Sequence, residues 1–372
     1  MNQAPKKLKA VSLFTGAGGM DVGFERAGFS VVWANEIMPH AARTYELNHP
    51  SSNMHCGDLA DFKDKLPSPS DGIDCVFGGP PCQGFSVAGK MDPNDPRSKL
   101  VFDFLDVVAR VRPRFFVMEN VRALAELEKF SSVRERLKNQ ATALGYSSEF
   151  IVLNAKDFGV PQSRVRMFFI GFRINGEIQI DLEPYKKEAP SLRKLFQSIG
   201  PAGTEKNPLT CKARITLAKY PILRKSPYAG MLFNGLGRPL NLEGVSCTLP
   251  ASMGGNKTPF IDTRSLEQGR PAWVEEYHAK LWETAKDATP KGPEELVEAP
   301  DFLRRLTVKE AQLIQTFPSD YEFAGPMSSQ YTQIGNAVPC DLAYAVARAT
   351  VDFYQKLPTD CFGIGVTQLE LF

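Results

Sequence analysis

"LKAVSLFTGAGGMDVGF" (residues 8–24) sets an apolar run directly against a glycine-rich stretch and then an amphipathic one. That order reads as strand, tight turn and helix, and such a turn lets a ligand approach backbone amides at the switch point of an open α/β sheet. Further apolar runs follow at "FSVVWAN" (29–35), "GIDCVFG" (72–78), "RFFVMEN" (114–120), "SSEFIVLN" (147–154) and "VRMFFIGF" (165–172). Helical patterns lie between them, clearest at "KLVFDFLDVVARV" (99–111) and "VRERLKNQATAL" (133–144). The alternation is that of βαβ units on a parallel sheet. From about residue 174 to 300 the period dissolves into proline- and glycine-rich chain. It returns at "LTVKEAQLIQTFP" (306–318), where Thr307 and Glu310 are spaced as a capping box and Pro318 is a stop. "VPCDLAYAVARATVDFYQKL" (338–357) then reads as a long helix with Pro339 in its first turn. The expected fold is α/β: a doubly wound, mostly parallel sheet over 1–173, an inserted irregular domain over 174–300, a return to the first domain over 301–358, and a tail over 359–372.

The chain has 372 residues, with 44 Lys+Arg against 42 Asp+Glu, so its net charge of +2 creates no chain-wide basic field. A nucleic-acid partner would need a local patch. No long apolar run follows the first lysines, which predicts a cytoplasmic protein without signal peptide or membrane anchor. Seven cysteines contain no Cys-x-x-Cys pair. They read as reduced thiols, neither a disulfide framework nor a zinc site, and the four histidines show no ligand spacing. No metal is expected.

In the turn, Gly16, Gly18 and Gly19 are followed by Asp21, where a dinucleotide fingerprint would want its third glycine. Glu36 closes the second run about 20 residues on, where an acid can grip two ribose hydroxyls. Asp58 of "CGDLAD" follows a third strand and is placed to accept from an exocyclic amine. Taken alone the glycines are simply turn residues; the three features together favour an adenosine-containing ligand without pyrophosphate. "GGPPCQGFSVAGK" (78–90) holds Cys82 in a stiff, bare stretch just past a strand end. A thiol of pKa ~8.5 is a weak nucleophile at neutral pH unless nearby charge stabilises its thiolate. Cys75 and Cys340 read as buried small hydrophobes; Cys82 fits that poorly. Glu119-Asn120 end another run, and Arg164 and Arg166 stand at the mouth of a third, so a thiol, a carboxyl group and arginines emerge at neighbouring strand ends.

With "SLFTGAGGMDVGF", "GGPPCQGFS", "ENV", "QSRVR" and "QIGNAVP" in this order, the chain resembles the DNA (cytosine-5)-methyltransferase family everywhere outside 174–300. The resemblance implies methyl transfer from S-adenosylmethionine to carbon 5 of a cytosine flipped out of double-stranded DNA. In that scheme the Cys82 thiolate adds to carbon 6, Glu119 serves ring N3, and Arg164, with Arg166 beside it, fixes the base and supports Glu119. It also implies a cofactor pocket of Phe14, Gly16, Gly19, Glu36, Asp58, Pro81, Leu100 and Asn336, the last explaining why the final helix returns to the first domain. Pro80-Pro81 would stiffen the thiol's approach, and a loop through about Lys99 would close over the flipped base with Arg97 and Lys99 at phosphates. Ala88 departs from relatives that carry a polar residue in that loop.

By the same resemblance residues 174–300 are the target-recognition region. "KNPLTCKARITLAKYPILRKSPY" (206–228) is basic without an acid and offers Arg214, Arg224 and Lys225 to phosphates. Thr248-Leu249 resembles the family's threonine pair in this region. Asn234, Arg238, Asn256, Lys257 and Arg264 are candidate base readers. The expected protein is a monomeric enzyme of a bacterial or phage restriction-modification or orphan system. Its rivals are a tRNA cytosine methyltransferase, whose Cys-Phe-Thr signature is absent, and a non-catalytic DNA-binding regulator, against which Cys82, Glu119 and Arg164 argue. Finally, "QLELF" (Gln368, Leu369, Leu371 and Phe372 around Glu370) resembles the peptide by which bacterial proteins dock on the sliding clamp; the alternative is an apolar plug.

Overall fold

The computed structural model describes residues 7–81, 99–285 and 291–357. Its first unit comprises the chain up to 158, residues 164–187 and the chain from 338 onward. The elements in order are β1 (Leu8–Leu13), α1 (Gly19–Arg26), β2 (Phe29–Glu36), α2 (Pro39–Asn48), β3 (Asn53–Cys56), β4 (Cys75–Gly78), α3 (Leu100–Val111), β5 (Phe115–Val121), α4 (Arg122–Glu126), α5 (Ser131–Ala143), β6 (Ser147–Asn154) and β7 (Val165–Phe172). They build one seven-stranded sheet in the order β3-β2-β1-β4-β5-β7-β6. All neighbours are parallel except β7, which runs antiparallel to both β5 and β6.

The strand order reverses between β1 and β4, which makes their carboxyl ends the switch point. Leu13 is in register with both Asn35 and Gly78, so three strands end level there. A Cβ on Gly78 would lie 2.1 Å from the Leu13 carbonyl oxygen, so no other residue lets β4 lie against β1 at this point. On the face of the sheet carrying α3 and α5, Val101, Phe104, Leu105 and Val108 of α3 pack with Val76, Phe116 and Phe169 in the core. That is the period that "KLVFDFLDVVARV" shows in sequence.

Residues 159–163 and 188–337 form the second unit. It holds α6 (Leu192–Gln197), β8 (Leu217–Ile222), β9 (Met231–Phe233), β10 (Phe260–Asp262), α7 (Thr263–Gln268), α8 (Trp273–Thr284), β11 (Leu303–Arg305), α9 (Val308–Ile314) and α10 (Met327–Asn336). Two-stranded sheets β8-β9 and β10-β11 are its only sheets among the described residues. The expected boundaries at 173 and 300 differ from these. Residues 174–187 stay with the first unit, and 301–337 join the second, because Leu306, Val308, Ile314, Tyr331 and Ile334 share a core with Leu192, Phe196, Leu249 and Met253. Regular periodicity marks a helix; it does not say which core the helix joins. The capping box forms: Glu310 N donates to Thr307 Oγ1 at 3.0 Å and Thr307 N to Glu310 Oε2 at 2.9 Å.

The chain then returns to the first unit in α11 (Cys340–Gln355), with Pro339 as N-cap, one residue outside the turn expected for it. α11 lies hard against α1: a Cβ on Gly23 would sit 2.5 Å from both Ala343 Cβ and Tyr344 N. Burial pushes the thiols of Cys75 and Cys340 well above their usual range, which suits two small core side chains. Asp21, in the first turn of α1, is fully buried and accepts from Tyr45 Oη at 3.0 Å.

Burial lifts the Asp21 carboxyl to about 6, against the pull of His49. A carboxyl whose folded pKa is raised contributes most stability below its unfolded value, near 3.8, and loses that contribution as pH climbs through about 6. Asp21→Asn keeps an acceptor for Tyr45 and carries no charge, so it should stabilise the protein at pH 7.5 by about 1–3 kcal/mol and leave it little changed at about pH 3.5, below the unfolded value. Thermal melting of both proteins across that range checks this; an equal shift at both ends would contradict it.

Candidate active site

The carboxyl ends of β4 and β5 and the start of antiparallel β7 meet at one edge of the sheet. Val121 stands opposite Arg166 and Glu119 opposite Phe168, so Arg166 is the diagonal neighbour of Glu119 on the same face. Arg166 Nε donates to Glu119 Oε1 at 2.9 Å, with both side chains largely buried. The sequence suggests Arg164 as the carboxyl's main support, but the direct partner is Arg166, because the β5–β7 register sets Arg166 two positions from Glu119's partner Phe168 while Arg164 lies before the strand begins. Burial raises the Glu119 pKa, and the charges of Arg166 and then Arg164 pull it back. The result is a carboxyl group that can still carry a proton beside a guanidinium.

Arg164 is buried just before β7. Its backbone is held on two sides: its N–H donates to Asn154 Oδ1 at 3.1 Å, and its carbonyl accepts from Ala155 N at 3.0 Å. Asn120 has no assigned role in the sequence reading, yet it is buried and fixed at both ends of its amide. Nδ2 donates to the Pro80 carbonyl at 3.1 Å, and Oδ1 accepts from Val121 N at 2.9 Å. It thereby ties β5 to Gly79-Pro80-Pro81. A Cβ on Gly79 would come within 3.0 Å of Glu119 Oε2, so glycine leaves that oxygen accessible. The signal was present: "ENV" places an amide next to the carboxylate. Cys82 and Arg97 lie outside the described residues, as does Ala88; Pro81, Lys99 and Leu100 flank that stretch.

At the switch point Phe14 has φ 54°, Gly16 φ 55° and Gly18 φ 82°, the last capping α1 ahead of Gly19. This run of left-handed residues turns the chain sharply, which explains the glycine spacing. Glu36 is buried and accepts backbone amides on both oxygens, from Gly16 N on Oε2 and Met38 N on Oε1, both at 2.8 Å, with the Ile37 amide beside them. Exposed Asp58 accepts from Ala60 N on Oδ1 at 2.9 Å. Asn336, the remaining pocket candidate, is exposed at the end of α10 in the second unit.

In that unit Arg224, Lys225, Thr248, Asn256 and Lys257 are exposed. Other candidates are engaged within the fold. Asn234 Nδ2 bonds Thr216 Oγ1 at 3.0 Å and the Leu217 carbonyl at 2.9 Å. Arg264 lies 3.4 Å over the Phe302 ring. Arg238 donates to the Gly230 carbonyl, and Arg214 pairs with Glu298. Charge and donor type are visible in sequence; prior engagement by a neighbour across the hairpin is not. No described helix is long and apolar enough to cross a membrane.

Against known proteins, a family model described as C-5 cytosine-specific DNA methylase matches residues 8–352. Type II methyltransferase M1.HphI of Haemophilus parahaemolyticus is 33% identical over 350 residues, covering 92% of this chain and 87% of its own. Type II methyltransferase M.Eco47II of Escherichia coli is 34% identical over 360 residues, covering 93% and 79%. Among solved structures, DNMT2 of Spodoptera frugiperda superposes with a TM-score of 0.63 at 20% identity, over 93% of this chain and 100% of that one. Dnmt2 of S. pombe gives 0.62 at 18%, over 94% and 99%. These two likenesses are of fold.

Proposed function

The chain belongs to the C-5 cytosine-specific DNA methylase family, and from that premise we propose how its residues divide the work of methylating carbon 5 of cytosine in DNA. Enzymes of this family take the methyl group from S-adenosylmethionine. The switch-point residues fit that donor chemically. Glu36 is held by backbone amides, Gly16 N on Oε2 and Met38 N on Oε1 among them, and its carboxylate keeps lone-pair capacity for a ribose hydroxyl. Asp58 keeps Oδ2 for an exocyclic amine. Phe14, Gly16, Gly19, Pro81 and Leu100 complete the proposed pocket on the first unit; Asn336 is a further candidate that belongs to the second. When bound, the donor supplies an electrophilic sulfonium methyl.

Carbon 5 of cytosine is too poor a nucleophile to take that methyl unaided. Cys82, as thiolate, forms a bond to carbon 6, and the ring's electron pair shifts toward N3. Glu119 donates its proton to N3, leaving an enamine whose carbon 5 is nucleophilic. Burial keeps that proton on Glu119 to higher pH than in water, and Arg166 stabilises the carboxylate left behind. Arg164 adds a second positive charge, and Asn120 holds the Pro80 carbonyl two residues before the thiol. After methyl transfer the carbon 5 proton passes to water, the carbon–sulfur bond breaks, and N3 returns its proton. The observation that carries this assignment is the buried Glu119–Arg166 contact beside the clamped proline pair.

The second unit is the recognition part in this proposal, with Thr248, Arg224, Lys225, Asn256 and Lys257 as its exposed contacts and Arg214 and Arg238 in support. The enzyme reads a specific double-stranded site within a bacterial or phage modification system, in the cytoplasm, as its Type II relatives suggest. A duplex carrying 5-fluorocytosine at the target cannot lose its carbon 5 substituent. With S-adenosylmethionine it should therefore give a protein–DNA complex that survives denaturation, and Cys82→Ser should abolish that complex while still binding duplex. Absence of the complex with the native protein would refute the covalent route.

The "QLELF" segment lies outside the described residues, and on its sequence we assign it to docking on the sliding clamp, where tethering keeps the enzyme on newly replicated DNA. Removing residues 368–372 should abolish binding to purified clamp and leave activity on short duplexes intact. A loss of thermal stability instead would make the segment a plug.

A further inference from the structure

A buried hydrogen-bond relay runs through the second unit. Gln162 and Gln315 are both fully buried, and Gln162 Nε2 donates to Gln315 Oε1 at 2.8 Å. Gln162 Oε1 accepts from Leu249 N at 2.9 Å, while Gln315 Nε2 donates to the carbonyls of Ile334 at 2.6 Å and Ala337 at 3.2 Å. Neither amide can be turned over: reversal of Gln162 would set N–H against the Leu249 N–H, and reversal of Gln315 would set oxygen against two carbonyls. Around the first glutamine, Ser163 N donates to the Ser246 carbonyl at 2.8 Å, Ser246 N to the Pro161 carbonyl at 2.9 Å, and Thr248 Oγ1 to the Ser163 carbonyl at 2.8 Å.

The ends of this relay are the two places where the chain leaves the second unit. Ser163 is followed by Arg164, and Ala337, the residue after Asn336, is followed by Val338. Its middle is Thr248-Leu249. Apolar neighbours such as Ile314, Leu249 and Ile334 surround it, where side chains without polar atoms would pack at no desolvation cost. What paired amides add is a single register, since any slip leaves several buried groups unpaired.

We propose that Gln162 and Gln315 are positioning residues that couple base recognition to chemistry. They hold the backbone leading into Arg164 and the turn carrying Asn336 in one register with exposed Thr248, the proposed DNA contact, so a mismatched sequence that displaces Thr248 displaces both ends of the relay with it. The inference rests on the second unit being the recognition part.

The test uses the full chain and the site found by base-resolution sequencing of a plasmid it has methylated. Single-turnover rates are measured on that site and on duplexes with one base pair changed, for the native protein, Gln162→Met, Gln315→Met and the double variant. Each single variant should lose about tenfold at the matching site and less than about twofold at altered sites, so that discrimination shrinks. The double variant should discriminate no worse than either single one, because one relay is broken in all three. Should one variant fail to fold, the other still reads the ratio. Proportional losses at every site, or unchanged discrimination, would overturn the proposal. Grafting residues 188–300 from a relative with a different site separates the two claims. If the original site persists, the recognition assignment fails; if the site moves while discrimination survives both variants, this inference alone fails.

Discussion

Everything at the reactive edge depends on one contact, the buried Glu119 carboxylate against the Arg166 guanidinium. A carboxyl group left alone at that depth would stay protonated and could not release its proton when the base needs it; an exposed one would be charged at neutral pH and have none to give. The pair sits between those limits. It is not a general stabiliser of the fold, since desolvating two charges offsets most of their attraction. In the proposed mechanism its value is in placing a proton, and the antiparallel insertion of β7 beside β5 is what makes the contact possible. A parallel strand in that slot would begin at the opposite edge of the sheet and carry its arginines away from Glu119.

The same edge explains the composition of the neighbouring turn. Gly78 is required by the approach of β4 to the Leu13 carbonyl, and Gly79 leaves the Glu119 carboxylate unpressed. Pro80 offers a carbonyl that Asn120 can hold. The strand end at Gly78, Gly79 and Pro80 is thus constrained from the β1, β5 and side-chain directions. The glycines at 16 and 18 answer a different need, the left-handed turn that frees Gly16 N for Glu36.

Much of this is legible in the sequence. The apolar runs that mark β1, β2, β5, β6 and β7 fall within a residue of the strands, because each is bounded by a helix pattern or a glycine, and the capping box at Thr307 and Glu310 forms as spaced. The rest is not legible for physical reasons. Which core α9 and α10 join depends on partners distant in sequence, Leu192, Leu249 and Met253. Which arginine reaches Glu119 depends on strand register. Asn234 and Arg264 look free as sequence letters but are bound by Thr216 and Phe302 across the second unit. The paired glutamines fall in stretches singled out for other reasons, "QSRVR" and "LTVKEAQLIQTFP", and nothing in either shows that the two amides meet.

The most direct test of the central claim leaves methyl transfer out. In a duplex bearing tritium at carbon 5 of the target cytosine, thiolate addition with protonation at N3 makes that hydrogen exchangeable with water. The native protein should release the tritium; Glu119→Gln should bind the duplex as well and release it about 10²–10⁴-fold more slowly. Release by Glu119→Gln within a few-fold of the native rate would contradict the assignment of Glu119 as the proton donor.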